Sequence, residues 1–229
     1  HEKMTHFLKG ASTIIDMKKS CIDKADKIIV ISQNTKEDLI EYYKIPEDRI
    51  EITYLAGNNI IRKFSENENE FFLQSYRLNK PFIFYVGERG GYKNFLVLLK
   101  VFSVWKEKKD FCLVCAGGSP RWSKEELEII RVNGIGDSII LLPSIADHEL
   151  AEFYSNAFMF VTTSLYEGFG ITPLEAMSYG TPVIAAKTSS IPEVVGNAGL
   201  YFDPLSVEEL MVCMDKLVGD NELREKLKI

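Results

Sequence analysis

The sequence is short of the features that mark membrane-spanning, exported and nucleic-acid-binding proteins. No apolar run in its 229 residues approaches the roughly 20 residues that a membrane-spanning helix needs. The opening stretch, HEKMTHFLKG, lacks the apolar core of a signal peptide. Basic residues do not exceed acidic ones: 27 Lys and Arg stand against 33 Asp and Glu, a net charge of −6. We therefore expect a cytoplasmic protein that does not bind nucleic acid.

Cysteine and histidine are also scarce. Three histidines are too few for a histidine-rich metal site, and the four cysteines include one CxxC pair, Cys112 and Cys115. That pair lies inside FCLVCAG, an apolar run typical of a buried strand. Strand side chains alternate, so two residues that are three apart point to opposite faces. We expect no zinc or redox site here, and a reducing compartment fits free thiols.

What the sequence does contain is a regular alternation of short apolar runs and amphipathic segments. The apolar runs are nearly continuous, as in parallel strands that are covered on both faces. Strands that alternate with helices predict right-handed crossovers and a doubly wound, Rossmann-like α/β sheet. The predicted strands cover residues 27–32, 50–55, 82–87, 111–117, 139–142, 158–163, 182–186 and 199–202.

The segments between the strands carry helix-start signals. Residues 94–105 place large apolar side chains on one face of a helix. Asp147 is expected to cap the helix that follows the fifth strand. Three further starts have the spacing of a capping box: Asn34 with Glu37, Ser123 with Glu126, and Ser206 with Glu209.

The composition shifts once along the chain, and this shift predicts a domain boundary. A polar, acidic stretch opens residues 62–81, and six strands follow in regular order from residue 82. Residues 1–61 contain only two predicted strands and two helices, which is too little to close a core alone. We therefore expect 1–61 to be the remnant of one domain, 62–80 to be a linker ending in a short helix, and 81–229 to be a complete Rossmann-like domain.

The stretch EGFGITPLE joins a strand to a helix and carries the strongest site signal. Thr172 is a favoured N-cap residue, and Pro173 suits the first helical turn. One interpretation is purely structural, with Glu175 closing a capping box with Thr172. The alternative is a ligand site, because Gly168 and Gly170 allow close approach to the main chain and helix N-terminal amides favour anions. Ligands of open parallel sheets bind beyond the carboxyl ends of strands, so we favour a phosphate or sugar site.

Two other glycine turns follow predicted strands. In VGERGGYKN, Gly87 begins a turn in which Arg89 and Lys93 precede a helix N-terminus, which is favourable if an anion lies between them. In AGGSPRW, Gly117 fits either a simple turn or a close-approach turn with residues 121–122 reaching a base. Neither stretch matches GxxxxGK[ST] or GxGxxG, which argues against a P-loop nucleoside triphosphatase and a dinucleotide enzyme.

Three segments resemble glycosyltransferase family 4, a family of retaining enzymes with the GT-B fold. EGFGITPLEAMSYGTPVI matches the family's E-x7-E signature, and IPEVVGNAGLYFDP and ADKIIVISQNTKEDLIEYY are similar to further family segments. The resemblance covers nearly the whole chain. It implies that 81–229 is the C-terminal nucleotide-sugar-binding half, and that 1–61 belongs to an N-terminal acceptor-binding domain of which most is missing.

The resemblance also implies a role for each matching residue. Glu175 is expected to bind the ribose hydroxyls, and Glu167 to lie near the transferred sugar. Lys93 matches the family's diphosphate lysine. Arg89 stands one residue later than the usual arginine, whose place is taken by Glu88, and is still expected to reach the phosphates. The catalytic set is therefore Glu167, Lys93 and Arg89. The substrate-binding set, which includes positions whose backbone meets sugar, phosphate or base, is Glu175, Gly168, Phe169, Gly170, Thr172, Leu174, Gly87, Gly117 and Ile145.

The implied reaction is retaining transfer of a sugar from a UDP- or GDP-linked donor to an acceptor hydroxyl, by front-side attack and without a metal ion or other cofactor. The segment TSSIPEV favours GDP-mannose. The implied acceptor is a saccharide or lipid-linked saccharide, chosen by the missing domain, in polysaccharide or glycolipid assembly with peripheral contact at the inner membrane face. Two alternatives stay open: a sugar-nucleotide epimerase of GT-B fold, and a donor-binding module that is inactive without the missing domain.

Overall fold

The structure is a computed structural model that describes residues 11–57 and 64–228. It contains two parallel sheets, one of two strands and one of six, and every predicted strand is present with ends shifted by up to three residues. Within the described ranges, none of the helices combines the length and apolar character that crossing a bilayer requires.

The strands are β1 Ile28–Val30, β2 Ile50–Ile52, β3 Phe82–Val86, β4 Cys112–Ala116, β5 Ile139–Leu142, β6 Met159–Thr162, β7 Val183–Ala186 and β8 Gly199–Phe202. The α-helices are α1 Ala11–Lys24, α2 Gln33–Tyr43, α3 Glu66–Ser75, α4 Phe95–Val104, α5 Lys124–Asn133, α6 Asp147–Asn156, α7 Ile171–Ser178, α8 Ile191–Val195, α9 Val207–Gly219 and α10 Asn221–Lys226.

The six-stranded sheet has the order β5-β4-β3-β6-β7-β8, and every neighbouring pair is parallel. Its first strand in sequence is β3, so the chain runs outward through β4 and β5 and then returns to place β6 on the other side of β3. This is the strand order of a Rossmann sheet, and it confirms the predicted doubly wound fold. The reversal places the loops that follow β3 and β6 beside the crevice at the switch point, where ligands of such sheets bind.

The large sheet buries its two faces in separate apolar clusters. Helices α4 and α9 cover one face, and α3, α6 and α7 cover the other. Cys115 belongs to the first cluster and Cys112 to the second, which confirms that the CxxC pair is split across the sheet. The predicted apolar face of α4 is fully buried: Phe95, Leu98, Leu99, Phe102 and Trp105 are each 0% exposed.

Residues 11–57 form a smaller unit around β1 and β2, with its own apolar cluster that includes Val30, Leu39 and Ile50. The expected boundary between residues 61 and 62 lies outside the described residues. Helix α3 begins after a capping box made by Ser65, and it buries Phe72 against the six-stranded sheet. This helix therefore packs as part of the larger unit.

The predicted helix starts at Ser123 and Ser206 are present. Ser123 and Glu126 form a complete capping box, each side chain bonded to the other's backbone N–H. The Ser206 hydroxyl accepts from the N–H of Glu209 at 3.1 Å. The carboxylate of Glu209, however, accepts from the N–H of Asp203, so the second half of that predicted box is wrong.

Two other cap predictions are wrong. The N-cap of α2 is Ser32, two residues before Asn34, because the Ser32 hydroxyl accepts from a first-turn amide at 3.0 Å. Helix α6 begins at Asp147 itself, after Ala146, and the Ala146 N–H donates to the carboxylate of Glu149 at 2.9 Å. In both cases the observed N-cap lies one or two residues upstream of the predicted one.

Candidate functional site

The loops that leave β3 and β6 meet at the switch point and are fastened to each other. The N–H of Leu165 donates to the carbonyl of Tyr92 at 2.7 Å, and the Thr163 hydroxyl donates to the carbonyl of Lys93 at 2.7 Å. Lys93 closes a short 3₁₀ turn, and Asn94, with φ 54°, then stands at the N-cap position of α4. The two loops therefore form one wall of the crevice, and Lys93 is held directly beside the segment that follows β6.

Lys93 and Glu167, two of the three predicted catalytic residues, form an ion pair. Lys93 Nζ lies 2.6 Å from Glu167 Oε1, and the two side chains are only 21% and 17% exposed. The Ser164 hydroxyl donates to the same carboxylate oxygen at 2.6 Å. Glu167 thus has two donors, whereas the ammonium group of Lys93, which carries three N–H bonds, retains capacity for a second acceptor.

The loop from Glu167 to Gly170 turns its carbonyl groups toward protein donors. The Ser190 hydroxyl lies within hydrogen-bonding distance of the carbonyls of Glu167, at 2.9 Å, and Phe169, at 2.8 Å. The carbonyl of Gly168 also accepts protein hydroxyls. Among the described residues, no hydrogen bond uses the N–H groups of Gly168, Phe169 or Gly170. These amides therefore retain hydrogen-bonding capacity that no described protein acceptor uses.

Helix α7 begins at Ile171 after Gly170, so the expectation that Thr172 is the N-cap is wrong. Gly170 has φ +105°, and a Cβ there would stand 2.7 Å from Cδ1 of Ile191, so the turn requires glycine. Thr172 lies in the first turn, where its N–H has no intrahelical partner. Glu175 is the fifth residue of the helix and takes no part in a capping box, which excludes the capping-box interpretation of this residue.

Glu175 lines a pocket of about 200 Å³ between α6 and α7, together with Asp147, Leu150, Ala151, Tyr154 and Tyr179. Its Oε2 accepts from the Tyr154 hydroxyl at 2.9 Å. Burial raises the pKa of Glu175; the Tyr154 hydrogen bond opposes this shift, and Asp147 adds to it. The rings of Tyr154 and Tyr179 are nearly parallel, at 8° and 6.0 Å. A half-buried carboxylate in such a pocket can accept hydrogen bonds from two adjacent hydroxyl groups.

Arg89 does not face the crevice, so its predicted role as a phosphate ligand is wrong. The side chain is only 5% exposed, and its Nε donates to Glu126 Oε1 at 3.1 Å. Its terminal nitrogens donate to the carbonyls of residues 117, 119 and 121. The guanidinium also lies 4.7 Å from the ring centre of Trp122. Arg89 therefore holds the loop after β4. Its guanidinium also covers the Trp122 ring, which was one of the two side chains expected to reach a base.

The other predicted binding positions are spread along the same edge of the sheet. Gly87 and Gly117 have positive φ angles and pack against each other, because a Cβ on Gly117 would lie 3.5 Å from the Gly87 nitrogen. Ile145 is half-buried in the loop that leads to Asp147 and the Glu175 pocket. Phe169 and Leu174 instead line a small crease of about 210 Å³ that faces Tyr54, Leu55, Glu193 and Val194.

Sequence reasoning missed the tyrosines of the Glu175 pocket. Tyr154 stands 21 residues before Glu175, on a helix whose apolar pattern gave no sign that one hydroxyl would point at a carboxylate. Ser190, within the segment TSSIPEV, holds the backbone of the loop at residues 167–169. In residues 11–57 and 64–228, no group of three or more His, Cys, Asp or Glu side chains is arranged to hold a metal ion.

Comparison with known sequences gives a consistent family. The model of a family described as "Glycosyl transferases group 1" matches residues 66–229. The O-antigen chain mannosyltransferase B of Escherichia coli is 32% identical over 208 residues, which cover 89% of this chain and 54% of that protein. The O-antigen chain mannosyltransferase RfbU of Salmonella typhimurium is 27% identical over 81% of this chain and 49% of its own length. The chain therefore spans about half the length of these curated relatives.

Solved structures show the same fold at lower sequence identity. A glycosyltransferase from Rickettsia africae superposes with a TM-score of 0.79 at 23% identity, covering 89% of this chain and 56% of that one. Anabaena HepE, solved in complex with UDP and glucose, gives a TM-score of 0.81 at 19% identity, with the same coverage of 89% and 56%. These likenesses confirm the expected architecture, about half of a GT-B fold.

Proposed function

Because this chain belongs to the group 1 glycosyltransferases, we propose that it binds the nucleotide-sugar donor of an enzyme that transfers a sugar to an acceptor hydroxyl in polysaccharide or glycolipid assembly. The observation that carries the proposal is the grouping of a recessed carboxylate, Glu175, with Lys93 and the unused amides of residues 168–170 at one edge of the sheet. The carboxylate suits a ribose diol. The cation and the amides suit a diphosphate.

The chemical work of this site is stabilisation of the leaving nucleoside diphosphate. Charge develops on the phosphate oxygen as the anomeric C–O bond breaks, and preorganised donors in a water-poor site stabilise it most effectively. Lys93 supplies a full charge, and the first turn of α7 supplies partial charge through its free N–H groups. Loss of one such donor costs about 3 kcal/mol, or roughly a hundredfold in rate.

The ion pair with Glu167 gives Lys93 a fixed position before the donor arrives. A diphosphate that reaches the free face of the ammonium group extends the existing pair, so Lys93 need not change its rotamer. We propose that transfer retains the anomeric configuration: the acceptor oxygen bonds to the anomeric carbon on the face the diphosphate leaves, and the acceptor proton passes to a phosphate oxygen. No step in this scheme requires a metal ion or a covalent bond to Glu167.

The names of the relatives favour a mannosyl donor. Two of the similar proteins are O-antigen mannosyltransferases by name, and we propose GDP-mannose for this chain. Anabaena HepE was solved with UDP and glucose. Binding of GDP-linked donors should therefore be compared with binding of UDP-linked donors. We further propose a saccharide or lipid-linked saccharide acceptor, met at the inner face of a membrane by peripheral contact.

Calorimetric titration with GDP and UDP tests the donor site. We expect the wild type to bind one of them, and Glu175→Gln and Lys93→Gln each to weaken that binding by about tenfold or more, since hydrogen bonds to charged groups contribute ~1.5–3 kcal/mol. Glu222→Gln and Lys124→Gln, on exposed positions of α10 and α5, are matched controls that should leave the affinity unchanged. Binding of neither nucleotide by the wild type, or an affinity in both site variants that equals the wild-type affinity, would refute the proposal.

A sugar-nucleotide epimerase would also hold a nucleoside diphosphate. The same preparation, given donor and a saccharide acceptor, separates the two reactions, because an epimerase changes the donor sugar without needing the acceptor.

A further inference from the structure

The first turn of α2 lies against the loop that carries the free amides. The Ser32 hydroxyl, on a residue that is fully buried, donates to the carbonyl of Gly168 at 2.7 Å. The Thr35 hydroxyl donates to the same carbonyl at 3.1 Å. Ser32 and Thr35 belong to the small unit and Gly168 to the large one, so these two contacts join the units at the candidate site itself.

Glu193 makes a second link, in the opposite direction. Its carboxylate accepts from the N–H of Gln33 at 2.6 Å and from the N–H of Asn34 at 3.3 Å, the first two amides of α2. A carboxylate at this position satisfies amides that have no intrahelical partner and stabilises the positive end of the helix dipole. The Tyr54 hydroxyl, which follows β2, hydrogen-bonds the same carboxylate, and this contact raises the pKa of Tyr54.

Tyr166 makes a third link, one residue before Glu167. Its hydroxyl accepts from the side-chain amide of Asn34 at 2.9 Å and donates to the carboxylate of Asp38. All three links therefore use the N-cap and the first two turns of α2. They reach Tyr166, which precedes the Glu167–Gly170 loop, Gly168 within it, and Glu193 on α8.

The geometry of the peptide bond connects these contacts to the ligand side of the loop. The peptide between Gly168 and Phe169 is planar and trans, so its C=O and N–H point in opposite directions. A carbonyl held by Ser32 and Thr35 therefore aims the Phe169 N–H away from α2. Gly168 has no side chain, and a Cβ there would meet nothing within 4 Å. Its own packing does not fix this peptide, because glycine reaches many backbone conformations.

We propose that Ser32, Thr35 and Glu193 are positioning residues that lock α2 onto the Glu167–Gly170 loop and thereby orient its amides toward the sugar and distal phosphate of the donor. The inference rests on the proposed donor site and goes beyond it, because it assigns a role to residues on both sides of the contact between the two units: Ser32 and Thr35 in the small unit and Glu193 in the large one. Loss of the lock frees the Gly168–Phe169 peptide to rotate, so the donor keeps its nucleoside contacts and loses contacts to the loop.

The test compares a ligand that reaches the loop with one that does not. GDP-mannose carries the sugar and the distal phosphate, whereas GMP carries neither; UDP-glucose and UMP replace them if the wild type prefers uridine. Thr35→Val is the central variant, because it removes one donor to Gly168 and leaves the Ser32 cap of α2 in place. We expect it to weaken GDP-mannose binding roughly fivefold, the effect of one net hydrogen bond, with GMP affinity unchanged. The double variant Ser32→Ala/Thr35→Val and the single variant Glu193→Gln should show the same selective loss.

Ser206→Ala is the matched control, since it removes an equivalent serine N-cap from α9, and among the described residues the first turn of α9 makes no hydrogen bond to the Glu167–Gly170 loop. It should lower the melting temperature as Ser32→Ala does, but without changing the ratio of the two affinities. If Thr35→Val and the double variant keep the wild-type ratio while the wild type binds GDP-mannose, the lock is refuted and the donor site stands. If the wild type binds neither nucleotide sugar, both proposals fall together.

Discussion

Glu175 shows at the scale of one residue why a binding carboxylate can be recognised. The side chain is half-buried beside two tyrosines, and burial holds its pKa above the ordinary value. A glutamate without a function is usually found on the solvent-exposed face of a helix, where its charge is well solvated. Groups whose pKa is shifted by burial and that line a pocket are candidates for function. Burial of a charged group opposes folding, and a binding site keeps such a group because a ligand contacts it.

Replacing Glu175 by Gln should therefore stabilise the protein at neutral pH. The folded-state pKa is raised, so the stabilising contribution of this group is present below its ordinary pKa of 4.5 and is lost as pH rises through the raised value. Glutamine keeps an acceptor for Tyr154 and removes the charge. We expect Glu175→Gln to melt at a higher temperature than the wild type at pH 7, and this difference to shrink as the pH is lowered.

Thermal melts across the acidic and neutral range measure this effect. Glu222→Gln removes an exposed carboxylate and should leave the pH profile of stability as it is in the wild type. A Glu175→Gln protein that is less stable than the wild type at pH 7 would show that the carboxylate is there for the fold and not for a ligand.

The sequence placed Lys93, Glu167 and the Glu175 helix correctly at one edge of the sheet, but it misplaced Arg89. The direction of that guanidinium depends on Glu126, which is 37 residues away, and on three carbonyls of the loop after β4. No local pattern reports such partners. The available signal was the one-residue displacement from the family's usual arginine position, because a shift of one residue in a turn re-aims the side chain.

At the scale of an element, the start of α7 depends on one glycine. Gly170 has φ +105°, and a Cβ would lie 2.7 Å from Ile191 Cδ1. Gly170→Ala forces a residue with a side chain into a conformation that costs roughly 1–3 kcal/mol. We expect a loss of stability of that size together with weaker nucleotide binding, because the loop amides must move to relieve the strain. Chemical denaturation and calorimetric titration measure the two effects.

Gly219→Ala supplies the matched control for this substitution. Gly219 is the last residue of α9, and a Cβ there would meet nothing within 4 Å. Alanine is a better helix former than glycine, so this variant should be as stable as the wild type or slightly more so. A Gly170→Ala protein with wild-type stability and affinity would contradict the account of how α7 begins.

The elements themselves were largely predictable, and their boundaries were less so. Near-continuous apolar runs identified all eight described strands, because parallel strands buried on both faces have no polar alternation. The observed start of α2 differs from the predicted one because a residue distant in sequence binds the side chain of the predicted cap. Asn34 has the composition of a cap, yet its side chain donates to Tyr166, 132 residues later, and Ser32 takes the capping position.

At the scale of the whole molecule, strand order explains why residues distant in sequence form one site. The chain leaves β3, fills one side of the sheet, and returns to place β6 next to β3, so the loops bearing Lys93 and Glu167 meet. The alternation of strands and helices was enough to predict this crevice. The docking of α2 on the Gly168 carbonyl was not predictable, since it joins residues more than 130 positions apart through hydroxyl groups that carry no pattern of their own.

The most direct test of the central claim is a crystal structure of this chain with GDP or UDP. The account predicts that the ribose hydroxyls lie about 3 Å from the Glu175 carboxylate, and that the phosphates contact Lys93 Nζ or the amides of residues 168–170. A nucleotide bound anywhere else, with Glu175 bonded only to Tyr154, would contradict it.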